Sequence, residues 1–307
     1  MHAQISGCTD PMSKNFNPSA TINDGSCSYN SIKVKPKYSV ELSAVLHETS
    51  GLVFSDNMMW TTNDDTDTTL YGVDTSGVIQ KRIPLKKVFN KDWEEITQDS
   101  SYFYIGDFGN NVSGNRKDLH ILRIEKKSIE GNIQKTDTIS FSYSNQTDFT
   151  QLKSNTTNFD CEALVIVDDS IYLFTKQWKQ KRTSVYTIPK TPGQYNARLK
   201  ETFNVKGLIT SATIIPDKKL LVLSGYSKTL SPFAYLFYDY NRSDFFSGNK
   251  RKIKIALPFH QIEGITTQNG LQYYLTNENF TRKPFIAVPQ QLHHLDLSPF
   301  LSQYLQR

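Results

Sequence analysis

Apolar residues along the chain fall in short runs between turn formers, and the runs come in pairs. Phe159-Asp160-Cys161-Glu162-Ala163-Leu164-Val165 opens one such pair. Four stretches read alike: Thr49-Ser50-Gly51-Leu52-Val53, Trp93-Glu94-Glu95-Ile96-Thr97, Thr210-Ser211-Ala212-Thr213-Ile214 and Ile262-Glu263-Gly264-Ile265-Thr266. Each sets Glu or Ser, then a small residue (Glu95 is the exception), ahead of β-branched or aliphatic residues. The keyed residues run Ser50, Glu94, Glu162, Ser211, Glu263, at intervals of 44, 68, 49 and 52 residues. Thirteen or fourteen residues after each, a second apolar run leads to a polar group: Asn63-Asp64, Asp107, Lys176, Gly225-Tyr226 and Asn277-Glu278. This is one hairpin written five times. The start of the first strand and the end of the second share an edge in an antiparallel hairpin. The keyed residues and the polar ends are therefore expected on one face of the molecule.

Each hairpin continues into further strands. The units read 52–54, 58–62, 70–74 and 78–85; 96–98, 102–106, 120–124 and 138–143; 163–167, 171–175, 184–188 and 199–205. They continue with 212–215, 220–224, 235–240 and 253–257, then 264–267, 272–276, 285–288 and a strand near 292–297. Four short strands per unit at a period near 50 residues predict an all-β chain, a five-bladed β-propeller, with six blades as the alternative. Residues 38–46 alternate loosely and are expected to close the ring by pairing with the last unit. Residues 298–305 suit one short terminal helix. The domain division is a Cys-stapled leader at 1–30, a linker at 31–37 and the propeller at 38–307.

Composition narrows the classes. No run reaches 18 apolar residues, so no segment reads as a membrane span. The formal charge of +5 is spread along the chain, apart from Lys250-Arg251-Lys252-Ile253-Lys254, which alternates as an edge strand would. Nucleic-acid binding is not expected. Of three cysteines, Cys8 and Cys27 lie close in a loop-rich segment and are expected to pair, and Cys161 reads as a small buried filler. Met1-His2-Ala3-Gln4 is similar to the product side of a signal-peptidase site, and with the short-range disulfide this points to export. Residues 5–29 crowd turn formers and hold too few apolar residues for a core, so they need a staple. Gly7-Cys8-Thr9-Asp10-Pro11, Asn15-Phe16-Asn17-Pro18 and Asn23-Asp24-Gly25-Ser26-Cys27 closely resemble a module of secreted Bacteroidetes proteins. That resemblance implies export and no chemistry. Asp10, Asn23 and Asp24 read either as Ca²⁺ ligands or as turn-forming side chains.

Innermost propeller strands line the central channel, so Ser50, Glu94, Glu162, Ser211 and Glu263 are expected to ring the axis. Three converging carboxylates either take up protons or enclose a cation. Hard oxygen ligands in a flexible shell favour Ca²⁺ over zinc and over Mg²⁺. A polar channel filled with water is the other reading.

The order Ser, Glu, Glu, Ser, Glu resembles the calcium-activated nucleotidases (apyrases), five-bladed propellers whose innermost strands hold Ca²⁺. Ser211-Ala212-Thr213-Ile214-Ile215-Pro216 and Ile262-Glu263-Gly264-Ile265 carry the likeness best. It implies a Ca²⁺ held by Ser50, Glu94, Glu162, Ser211 and Glu263. The family's paired Arg of the third blade is replaced by Thr175-Lys176-Gln177. The stretch from Asp92 to Asn111 also resembles exported propellers described as phytase- or esterase-like. If the rim is an active site, Asp64 or Asp107 would serve as general base, and Lys176 and Arg116 would steady phosphate oxygens. The expected function is an exported Ca²⁺-binding propeller acting as a binding or scaffold module. The alternative is a Ca²⁺-dependent hydrolase of phosphate esters or nucleotides. The expected ligand is a small anionic or phosphate-bearing molecule, or else a protein or glycan, and the chain is expected to be a monomer.

Overall fold

The computed structural model describes residues 4–131 and 133–306; Met1-His2-Ala3, where the processing site is expected, lies outside them. Five antiparallel meanders follow one another. The first is Thr49–Ser55, Met58–Asn63, Thr69–Val73 and Ile79–Pro84. The second is Trp93–Gln98, Tyr102–Asp107, His120–Glu125 and Thr136–Tyr143. The third is Cys161–Val167, Ser170–Thr175, Thr183–Pro189 and Gly193–Phe203, and the fourth is Leu208–Ile215, Leu220–Tyr226, Pro232–Tyr238 and Asn249–Ile255. The fifth takes Ile262–Thr267, Gln272–Asn277 and Gln291–Asp296 from one end of the chain and Tyr38–Glu41 from the other. Innermost strands neighbour one another in chain order, and the fifth returns to the first. This is the all-β, propeller-like architecture that the repeat implies.

Packing explains why the strands read as nearly continuous apolar runs. Successive side chains of a strand point to opposite faces, and here both faces meet a neighbouring sheet. In Ser170–Thr175, Ile171 and Leu173 pack against the second sheet, whereas Tyr172 and Phe174 pack against the fourth. Five apolar clusters result, one for each pair of adjoining sheets.

Three elements differ from the expectation. The run 285–288 is not the third strand of the last sheet. Ile286–Val288 pairs with Phe280–Arg282 in a separate hairpin, and Gln291–Asp296 takes the third place. The expected linker 31–37 contains Ile32–Val34, a strand added parallel to Asn249–Ile255. Gly193–Phe203 pairs along its first half with Thr136–Tyr143, joining the second and third sheets. Of the closing segment 38–46, residues Tyr38–Glu41 form the strand and Ala44–Leu46 a 3₁₀ turn.

Cys8 and Cys27 form the expected disulfide, and Cys161 is a buried free thiol. The leader is docked on the edge of the fourth sheet remote from the keyed residues. Asp10 accepts hydrogen bonds from the Tyr29 and Tyr238 hydroxyls at 2.7 and 2.5 Å. Asn23 donates to Asp239 at 2.9 Å, and its own oxygen takes the Gly25 N–H. Asp24 caps Ser26 in the same way. These side chains serve turns and docking.

Candidate functional site

Every inner hairpin carries a β-bulge at its keyed end. A bulged residue is left out of the ladder and its side chain is re-aimed. Glu94, Glu162 and Glu263 are the extra residues in the second, third and fifth sheets, because pairing skips from Trp93 to Glu95, from Cys161 to Ala163 and from Ile262 to Gly264. In the fourth sheet the skipped residue is Thr210, so Ser211 stands one layer deeper, level with Glu95, Ala163 and Gly264. The first sheet skips Gly51 and Leu52.

That deeper layer seals the axis. Glu95, fully buried in the second sheet, reaches the non-adjacent fourth sheet. It accepts the Ser211 hydroxyl at 2.7 Å, the Ala212 N–H at 2.8 Å and its neighbour Ile96 N–H at 3.0 Å. Ser211 in turn accepts the Ile265 N–H of the fifth sheet at 3.1 Å. Gly51, the small residue after Ser50, makes room for Glu95. A Cβ on Gly51 would lie 2.4 Å from Ile96 N and 2.7 Å from Glu95 Oε1, and Gly51 has φ +67°.

Above this plug lies an acidic chamber. Carboxyl oxygens of Glu94, Asp160 and Glu162, all buried, come within 4.8 Å of one another. Asp160 is oriented by the Asn110 N–H at 2.6 Å and the Trp178 indole N–H at 2.7 Å. Lys176, itself buried, donates to Glu162 Oε2 at 2.9 Å. Glu162 Oε1 is buried with no hydrogen-bond partner. Burial, then Glu162, pushes the Glu94 carboxyl well above the usual range. Burial raises Glu162 and Asp160 as well, against the pull of Lys176. Burial raises Glu263 to about 8, again opposed by Lys176. Burial is the largest influence on Lys176 and works against its charge, but Glu162, Tyr226, Glu263 and Glu94 together outweigh it and its pKa is raised.

Nearer solvent, oxygens of Glu48, Asp64 and Glu278 form a second group within 4.8 Å. Burial, then Glu48, pushes Asp64 to about 8, and burial, then Asp64, does the same to Glu278. Asp92 lies beside the chamber, raised to about 6 by burial and Asp160.

The keyed residues thus separate into roles. Glu94, Glu162 and Glu263 share the chamber. Ser50 donates its hydroxyl to the Glu94 carbonyl at 2.9 Å, and Ser211 belongs to the plug. Of the rim candidates, Asp64 faces the mouth. Asp107 is buried and held by Arg116 at 2.6 Å and by the Lys91 N–H at 3.1 Å. Arg116 also donates to the Gly109 carbonyl and to Asp118, bracing the 108–119 loop. Lys176 is the counter-charge of Glu162. Sequence reasoning missed Glu48, Asp92 and Asp160, although a signal was there: Asp92-Trp93-Glu94 and Asp160-Cys161-Glu162 repeat an acid two residues before the keyed Glu, and Glu48-Thr49-Ser50 does so before Ser50.

Fold and site define a β-propeller with an acidic central channel closed at one level by a buried glutamate. No family model matches the chain, and no curated protein matches it. Among solved structures it is similar to a chain of a mitotic checkpoint complex, at 9% identity and TM-score 0.44, covering 88% of this chain and 98% of that one. A streptogramin B lyase structure is similar at 10% identity and TM-score 0.39, covering 84% and 97%. A computationally designed protein, Ika8, is similar at 8% identity and TM-score 0.36, covering 84% and 98%.

Proposed function

We propose that the chain is a binding or scaffold propeller that holds a divalent cation, Ca²⁺, in its channel at Glu94, Asp160 and Glu162, with Glu263 alongside. The observation that carries this reading is Glu162 Oε1, an acceptor buried without a donor beside two further carboxylates. An orphaned buried polar atom calls for an explanation, and a cation supplies one. The ligand set is all oxygen, which suits Ca²⁺. Glu94, Glu162 and Glu263 are proposed ligands as in the nucleotidase resemblance, and Asp160 is proposed in place of Ser50 and Ser211, whose hydroxyls are engaged elsewhere. Lys176 offsets one of the charges, and a divalent cation would offset two more. The disulfide is compatible with export, and among the described residues no helix is long and apolar enough to cross a membrane.

Hydrolysis of phosphate esters draws less support, because Asp107, Arg116 and Lys176 are already engaged in ion pairs. Calorimetric titration of metal-free protein with CaCl₂ and MgCl₂ tests the proposal. Saturable heat with Ca²⁺, stronger than with Mg²⁺ and lost in Glu162→Gln, is expected. No heat with Ca²⁺, or equal heat in the variant, removes the channel cation. Phosphate release from an ester or nucleotide panel by the Ca²⁺-loaded protein would favour the hydrolase reading.

A further inference from the structure

The keyed face is not acidic throughout. Between the third and fourth sheets, the loops 176–182, 204–207 and 227–231 border an open hollow of about 450 Å³. Lys181, Lys206 and Lys228 line it, with Asn204, Ser227 and Thr229. Among the described residues none of the three lysines forms an ion pair. Lys252 stands behind them, donating to the Val205 and Lys206 carbonyls at 2.6 and 3.3 Å. Cations gathered without carboxylates repel one another, and an anion between them relieves this.

Local backbone supports a built pocket. Lys181 and Lys206 both adopt left-handed backbone, at φ 55° and 51°, a conformation that costs an L-residue and persists only where its surroundings impose it. Gly207 permits the chain to pass close over Phe233: a Cβ there would lie 2.4 Å from the Phe233 ring. Its N–H donates to the Lys181 carbonyl at 3.3 Å, tying one lysine loop to the other. Burial, then Lys228, lowers the Lys181 pKa.

We propose that this lysine pocket is an anion-binding site for the phosphate group of a small phosphate-bearing ligand. The ammonium groups of Lys181, Lys206 and Lys228 supply charge, and the Ser227 and Thr229 hydroxyls supply further donors. The site is separate from the channel cation and does not rest on it. Trp178 stands between the two: Lys176 lies 4.9 Å from its ring centroid and Lys181 5.7 Å, and its indole N–H holds Asp160.

Trp178 therefore reports on the pocket. The other tryptophans, Trp60 and Trp93, are buried between the first and second sheets. Intact metal-free protein is titrated with inorganic pyrophosphate at fixed ionic strength while tryptophan emission is read. A saturable change is expected, absent in Trp178→Phe and absent with sodium chloride over the same range. The Lys181→Gln/Lys228→Gln double variant, altered at solvent-accessible side chains, is expected to bind roughly tenfold more weakly with an unchanged melting temperature. A response matched by chloride, a double variant that binds like the parent, or no saturable change would each overturn the site. Ca²⁺ binding measured on the same double variant should be retained, which keeps the failure of one site distinct from failure of the other.

Discussion

Lys176→Met removes the only cation that touches Glu162 among the described residues, while keeping an apolar stem over Trp178. At the observed 2.9 Å the pair is worth about 6 kcal/mol in an effective dielectric of roughly 20. The loss is capped, because Glu162 can take up a proton instead. A cost of about 3–5 kcal/mol is expected, as for other buried pairs broken on one side. At roughly 2 °C per kcal/mol for a chain of this length, the melting temperature falls by about 6–10 °C. The sign of the pH dependence follows from the protons bound. Without Lys176, the Glu162 pKa in the folded protein rises further above its unfolded value, so the folded state holds a proton that the unfolded state has released. Stability then falls as pH rises through that window, and the deficit is larger at pH 8 than at pH 5.5. Urea unfolding of parent and variant at both pH values, in metal-free buffer, measures it. Ca²⁺ at a hundredfold over its dissociation constant should return about 2.7 kcal/mol. A variant within about 1 kcal/mol of the parent at pH 8, or a deficit independent of pH, refutes the role given to Lys176.

Glu95→Gln exchanges one of the carboxylate oxygens that take the Ser211, Ala212 and Ile96 donors for an amide nitrogen. Donor then faces donor in a fully buried site, and a loss of about 3–5 kcal/mol is expected by urea unfolding; a loss below about 1 kcal/mol would show that the plug is not the central tie. His293 is buried and neutral, held by the Ser39 hydroxyl at 2.7 Å and Asn277 Oδ1 at 2.7 Å, with the His260 ring 5.4 Å away. Burial lowers its pKa to about 3, so the unfolded state binds the extra proton and stability falls as pH drops below about 6.5, by about 2 kcal/mol at pH 5. His293→Asn should lose that slope between pH 7.5 and 5, and equal slopes in parent and variant would contradict it.

The repeat of hairpins was legible because both faces of every blade are covered. Strands buried on two sides leave unbroken apolar runs, and the polar residues that interrupt them mark the channel face. A bulge leaves no such trace. The step Thr210-Ser211-Ala212 looks like Glu-small-aliphatic with Ser in the place of Glu, and only the pairing of Ser211 with Ser224 reveals that Thr210 is the skipped residue. The run Phe285-Ile286-Ala287-Val288 is apolar enough for a blade strand, yet Phe285 is 91% exposed in a hairpin tip. Sequence periodicity cannot tell a strand that packs from one that stands free. Lys176 shows a further limit. Its place at the end of a second strand was visible, but whether its ammonium turns outward to a ligand or inward to Glu162 depends also on carboxylates of two other blades, Glu94 and Glu263.

Glu95 explains why the carboxyl groups above it crowd together. The plug uses the space left by Gly51 and joins the second sheet to the fourth and, through Ser211, to the fifth. With the axis closed at that level, the bulged glutamates cannot extend into a wider channel and crowd into the chamber beneath the mouth. The docked leader lies at the remote end of the fourth sheet, so it covers neither the chamber nor the lysine pocket. Approach to both is from the keyed face, where negative charge lies on the axis and positive charge to one side, with Trp178 between.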